Sequence, residues 1–369
     1  MKKTICPILV FMIFLFFSCS SDNNVYVEDP IEEIPEVSPV NFDITAVPYA
    51  TLSEYNFYEG PMSDLKPVFG VVPYDLITPL FTDYAHKKRF IWMPNDVKAR
   101  YVSDSEIFNF PIGTVIIKNF YYDNVQPNNN TKILETRVLI KKSEGWIFAE
   151  YIWNEDQTEA VLDLTGRNVP IEWIQNGETK SVNYRIPSQF ECLTCHKSSG
   201  LEIPIGPKPQ NINANFTYTE GPKNQLTKWE EMGYLDSNYP SSIIASVKWD
   251  DPSQPLDLRM RSYFDSNCAH CHVTNGHCDY RPIRLSFNES SNPINLGICV
   301  EPQEDISLWL DVNPTHIIAP GDIENSVIYH RMNTTEDAIK MPLMGRSLVH
   351  QEAVNLVVEW INSLPNNCQ

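Results

Sequence analysis

Glycine is scarce in this chain, with 14 in 369 residues against 28 prolines. The backbone is therefore redirected more by fixed-φ connections than by glycine turns, which argues against a mostly helical protein. Basic residues are also short: 28 Lys and Arg face 47 Asp and Glu, a formal net charge of −19. Such a surface repels nucleic acid and anionic lipid and suits basic or small neutral partners. No G-x-S-x-G, P-loop or dinucleotide fingerprint occurs, so the commonest hydrolase and nucleotide-dependent chemistries have no foothold in the sequence. Long apolar runs are lacking too, and the stretch from Ile8 to Phe17 is too short to span a bilayer comfortably. What remains is 42% hydrophobic and 11% aromatic, enough for a sizeable core and incompatible with global disorder. The length allows two ordinary domains, or one large one with a tail.

The N-terminus reads as an export signal over residues 1–18, with Met1-Lys2-Lys3 as its positive start. Loss of Lys2 and Lys3 leaves 26 basic against 47 acidic residues, a net −21. Ser18-Cys19 after Phe16-Phe17 resembles a bacterial lipobox. The resemblance implies cleavage before Cys19 and lipidation of its sulfur, with ordinary secretion or a retained anchor as alternatives. Residues 19–44, with EDP and EEIPE, read as an acidic tether between lipid and fold.

Residues 45–190 carry the marks of an antiparallel β domain. FPIGTVIIKNFYY (110–122), KILETRVLIKK (132–142), GWIFAEYIWN (145–154) and TEAVLDL (158–164) are rich in β-branched and aromatic residues and are separated by turn signals. Asn176-Gly177 predicts a type I′ hairpin. Residues 191–250 are irregular, with a single short helix predicted over 225–235 and ending at Gly233. Residues 251–369 differ in kind. Helices are predicted over 255–271 and 347–364, the latter with Val349, Ala353, Leu356, Val357, Trp360 and Leu364 on one stripe. The expected fold class is α+β: an antiparallel β-rich N-terminal domain and an irregular segment, followed by a small all-α domain.

The chemistry lies in the cysteines. Nine are present; Cys6 leaves with the signal and Cys19 is the lipidation candidate. Four of the other seven form two C-x-x-C-H motifs, CLTCH (192–196) and CAHCH (268–272). Covalent haem attachment needs two thiols reaching one side of the macrocycle and an imidazole reaching iron. Cysteines three apart on a helical turn, followed at once by His, meet that need. The expected cofactors are two covalent haems, held by Cys192 and Cys195 with His196 on one iron, and by Cys268 and Cys271 with His272 on the other. Zinc is the rival, but paired zinc knuckles usually sit about 15–20 residues apart, and Cys195 and Cys268 are 268 − 195 = 73 positions apart. His270 and His277 read as solvent-facing loop residues, as do His86, His316, His330 and His350 taken singly, although one of these four is a candidate distal ligand. Met232 reads as packing for its short helix. Cys278, Cys299 and Cys368 remain; Cys278–Cys299 is the expected disulfide, with Cys368 left near a mobile terminus.

With those residues in hand, the chain resembles a family of bacterial dihaem c-type cytochromes of unassigned role, often encoded beside parallel β-helix proteins. The likeness runs over most of the mature chain, through LSEYNFY (52–58), PLFTDYAHKKRFIWMP (79–94), YIWNEDQTEA (151–160), IPIGPKPQNIN (203–213), NCAHCH and MPLMG (341–345). It implies haem and electron transfer without naming a substrate. The C-terminal part is also similar to class I cytochromes c, in which a distal-loop methionine is the sixth ligand. That likeness points to Met341, ahead of Met344, for the second haem. The β part ending in C-x-x-C-H looks like β-sheet cytochromes of the c′-beta type, which often leave the distal iron position open.

The leading expectation is thus an exported electron-transfer protein, an outer-membrane lipoprotein of the bacterial cell envelope facing the periplasm or the surface. Its partner is an unknown redox protein, its membrane contact the N-terminal lipid, and nucleic acid is excluded. One alternative is a haem enzyme with an open distal site at the first haem, reducing peroxide or another small oxidant. A second is a surface binding module in which Trp92, Trp146 and Trp153 recognise a glycan or partner and haem is structural, although such residues more often pack a core or a haem.

Overall fold

The alternating segments between residues 72 and 186 pair into one eight-stranded antiparallel sheet. In the computed structural model, which describes residues 36–365 and residue 368, the strands are β1 (Val72–Tyr74), β2 (His86–Trp92), β3 (Val115–Val125), β4 (Asn130–Lys142), β5 (Gly145–Trp153) and β6 (Ala160–Leu162), in that spatial order. The long β7 (Arg167–Gln175) and β8 (Glu178–Ile186) form a hairpin that joins the sheet where Trp173 meets Val125 of β3. Asn176 and Gly177 turn it with φ of 53° and 81°, the left-handed pair that the type I′ turn requires. The export signal, Cys19 and the tether as far as residue 35 lie outside the described residues.

Period-two alternation gives the sheet two faces. Phe90, Ile117, Val138 and Tyr151 point to one face, packed under Leu52, Tyr55 and Phe57 of the preceding segment. Val40, Phe42 and Ile44 also lie against this core. The solvated tether expected to reach residue 44 is therefore corrected: its last residues alternate apolar side chains and are folded onto the sheet.

Ile91, Ile116, Leu139 and Phe148 point to the other face. There they meet Leu226 and Trp229 of α3, one of three short helices after the sheet: α1 (Gln189–Cys195), α2 (Pro209–Ile212) and α3 (Gln225–Glu231). Asn224 caps α3 by accepting from the Leu226 and Thr227 amides, and Gly233 follows its end with φ 75°. Trp92, Trp146 and Trp153 are all buried. This favours core packing over the alternative of an exposed recognition surface: each sits at a core-facing register of its strand.

The C-terminal part holds α4 (Leu256–Asn267), α5 (Pro293–Leu296), α6 (Val327–Met332) and α7 (Gln351–Ser363). Helices α4 and α7 pack through Met260, Phe264, Leu356, Val357 and Trp360, with the Phe264 and Trp360 rings edge-to-face at 5.9 Å. α7 starts four residues later than expected, because the amides of Ser347 and Leu348 are held by the Asp83 carboxylate instead of opening a helix. The architecture is mixed, a large antiparallel sheet with a few helices, and Val37–Gln369 form one compact unit. Among the described residues no helix is long and apolar enough to cross a membrane.

The expected Cys278–Cys299 bridge is also corrected, since Cys299 pairs with Cys368. Packing of α7 on the core carries the C-terminus back, with Ile361 accepting from the Gly321 amide while Cys299 donates to Ile318. Cys278 is buried elsewhere, its amide bonded to the Cys271 carbonyl at 3.0 Å.

Candidate functional site

Ser188 and Glu191 form a capping box that starts α1 directly after β8. Arg185 holds Glu191 in place with bonds of 3.1 and 2.7 Å. One turn on, Cys192 and Cys195 occupy the body of the helix, and His196 closes it by donating its amide to Cys192 at 2.9 Å. The second motif is built differently. α4 ends at Asn267, and Cys268 to His272 continue as turns, with the Cys271 and His272 amides both donating to the Cys268 carbonyl at 3.1 and 3.0 Å.

All six motif residues, Cys192, Cys195, His196, Cys268, Cys271 and His272, line one cavity of about 660 Å³. Met341 and Met344 line it as well. His196 places Nδ1 2.8 Å from the Ile203 carbonyl, so Nδ1 carries the proton and Nε2 keeps its lone pair. Burial, with Lys118 adding repulsion, pulls its pKa down to about 3, which keeps the ring neutral. His272 is also held neutral by burial, down to about 4, and its Nδ1 is buried without a partner.

The fold closes the 73-position gap. Ligand atoms of Cys195, His270 and Cys271 all lie within 4.8 Å of one another, and the Cys278 amide donates to the Cys271 carbonyl at 3.0 Å. His270 thus lines the cavity with a buried, unpartnered Nδ1, correcting its reading as a solvent-facing residue: the turn after α4 points it inward. His350 joins the cavity too, stacked on Phe81 at 4.0 Å and bonded to Tyr263 at 3.0 Å. His86 and His277 are exposed, while His330 is buried with Nε2 2.9 Å from the Glu324 carbonyl. Met232 packs beside Trp229.

A set of buried charges that motif reasoning passes over lies behind the first motif. Cross-strand register places Arg89, Lys118, Arg137 and Glu150 in one row across β2 to β5. Glu135 pairs with Arg137 through two bonds of 2.8 and 2.6 Å and accepts from Tyr184 at 2.7 Å. Glu150 accepts the Cys192 thiol at 2.7 Å, while its second oxygen is buried without a partner. Burial pushes Glu150 up to about 7 despite Arg137, and burial also brings Lys118 down to about 7. The sequence signal for this row is a charged residue two places from a core residue on the same strand, as Lys118 is from Ile116 and Glu150 from Phe148.

Comparison with family models, with curated proteins and with solved structures finds no match to this chain.

Proposed function

We propose that this protein is an exported electron carrier holding two covalent haems, one at Cys192, Cys195 and His196 and the other at Cys268, Cys271 and His272. The observation that carries the reading is that both C-x-x-C-H motifs open on the same cavity. Haem bound there would supply a one-electron couple. The chain's own residues support the fit. Each motif offers two thiols and one neutral imidazole at the cavity wall, and the Ile203 carbonyl orients His196 as outer partners orient histidine ligands. The His272 and His270 Nδ1 atoms are polar groups that burial leaves unsatisfied until something else enters the cavity. Met341 is the proposed sixth ligand at the second motif, in line with the resemblance to class I cytochromes c. The small all-α domain belongs to the same reading, as does anchoring to the bacterial cell envelope through a lipid on Cys19.

The test is to express the full chain with its signal in cells that attach haem c. Two haems per chain are expected by pyridine haemochrome, both retained in acid acetone, and Cys268→Ala with Cys271→Ala should leave one. Recovery of a metal ion and no haem from exported protein overturns the reading.

One observation favours a second reading. Cys195, His270 and Cys271 bring two thiols and one imidazole within 4.8 Å of one another, with the buried Cys278 bonded through its amide to Cys271, and thiol and imidazole donors of this kind hold structural zinc. On that reading exported protein carries one zinc, lost in Cys195→Ser, and no haem.

A further inference from the structure

We propose that Arg346, braced by Asp83, is the positioning residue that holds Met341 toward the second motif; the inference rests on the reading of Met341 as an iron ligand. Arg346 is 6% exposed and lines the same cavity as Cys268, His272 and Met341. Its guanidinium donates only to main-chain carbonyls. Nε and Nη2 reach Met341 at 3.1 and 3.0 Å, and Nη2 also reaches Arg331 and Thr334 at 3.1 and 2.8 Å. Nη1 reaches Leu348 at 3.1 Å. The Met341 amide in turn donates to Arg331 at 2.8 Å.

One planar fork therefore gathers the carbonyls on both sides of the connection between α6 and α7. Asp83, 2% exposed, fixes the far end by accepting the Ser347 amide at 2.7 and 2.9 Å and the Leu348 amide at 2.8 Å. Asp83 comes from the segment before β2, so the part of the chain that builds the sheet sets the conformation of the segment bearing Met341.

The chemistry explains why this matters. A methionine side chain has three free rotors and a neutral, weak donor, so it stays on a metal only when its backbone is held in place. Burying a guanidinium carries a desolvation penalty that persists after relaxation, and no helix or strand needs it at this position. Lysine keeps the charge but has three donors on a single nitrogen and no fixed fork, and so does not span these four carbonyls at once.

Three variants of the haem-loaded full chain test this. Met341→Ala should lose the weak near-infrared sulfur-to-iron band and lower one of the two midpoint potentials. Arg346→Lys should move the same band and the same potential in the same direction, with two haems still attached and the other potential unchanged. Asp83→Asn should do so to a smaller extent; it carries the test alone if Arg346→Lys fails to fold. A folded Arg346→Lys or Asp83→Asn protein with wild-type band and potentials overturns the positioning role. A Met341→Ala protein with wild-type band and potentials instead overturns the ligand reading beneath it.

Discussion

Replacing Glu150 with Gln should make the protein more stable at pH 8 than at pH 5, measured relative to wild type. Glu150 is 2% exposed, and burial raises its pKa from 4.5 to about 7. Below pH 4.5 the group is protonated in both the folded and the unfolded chain, and its titration contributes nothing. Between 4.5 and 7 the unfolded chain releases the proton while the folded chain keeps it. Unfolding then sheds a proton, and stability falls as pH rises. Above about 7 both states are ionised and the penalty is complete. A rise from 4.5 to about 7 corresponds to about 3 kcal/mol. Gln keeps an oxygen to accept the Cys192 thiol and cannot ionise, so Glu150→Gln is free of the penalty. Urea unfolding of both proteins at half-unit steps from pH 4.5 to 8.5 should show the two curves diverging by about that amount, with most of the change complete by pH 7.5. Parallel pH profiles, or a variant that loses ground as pH rises, refute the reasoning. Either would mean that Arg137 stabilises the carboxylate at least as much as burial penalises it.

Two further outcomes concern the C-terminal part. Peptide mapping without reduction should recover a Cys299–Cys368 crosslink and an unbridged Cys278; because the closed loop spans 69 positions, Cys368→Ser should cost about 4 kcal/mol in the chain-entropy model, read from urea midpoints. Gly297→Ala should cost at least about 2 kcal/mol in the same assay, since φ is 89° there and an added Cβ meets Ile317 Cγ2 at 2.5 Å. A variant within 0.5 kcal/mol of wild type, taken as roughly the noise of a neutral surface change, counts against that packing.

The strands were legible because a sheet covered on both faces selects β-branched and aromatic residues along its central strands. VIIKNFYY, ETRVLI and FAEYIW are such runs, and Asn176-Gly177 marks the turn of the last hairpin. α3 was legible from Gly233, which follows its end. What stayed hidden depends on pairings distant in sequence. Nothing local to Ser347 says that Asp83, more than 260 positions earlier, occupies its amide and delays α7. The disulfide was misassigned for the same reason: loop length favours a near pair, whereas the packing of α7 on α4 decides which sulfurs meet. Cys195 and Cys271 were assigned to separate sites on spacing alone, and the fold makes them neighbours.

The charge row bears on the site independently of the motifs. At one end of this sheet face, Ile91, Ile116, Leu139 and Phe148 pack as an ordinary apolar core; at the other, Phe120, Tyr122, Trp173 and Tyr184 do the same. The band between them is charged, with Arg89, Lys118 and Arg137 facing Asp75, Glu135 and Glu150. Hydrophobic residues of similar volume are as stable as a buried ion pair, or more so, in many proteins, so folding alone does not call for this band. Its centre, Lys118, Arg137 and Glu150, surrounds the same small recess as Cys192 and His196. With Glu150 and Lys118 both brought to about 7, a small change of charge in the cavity shifts the protonation of either group. Buried charge thus takes the place of apolar packing on the stretch of the sheet that backs Cys192 and His196.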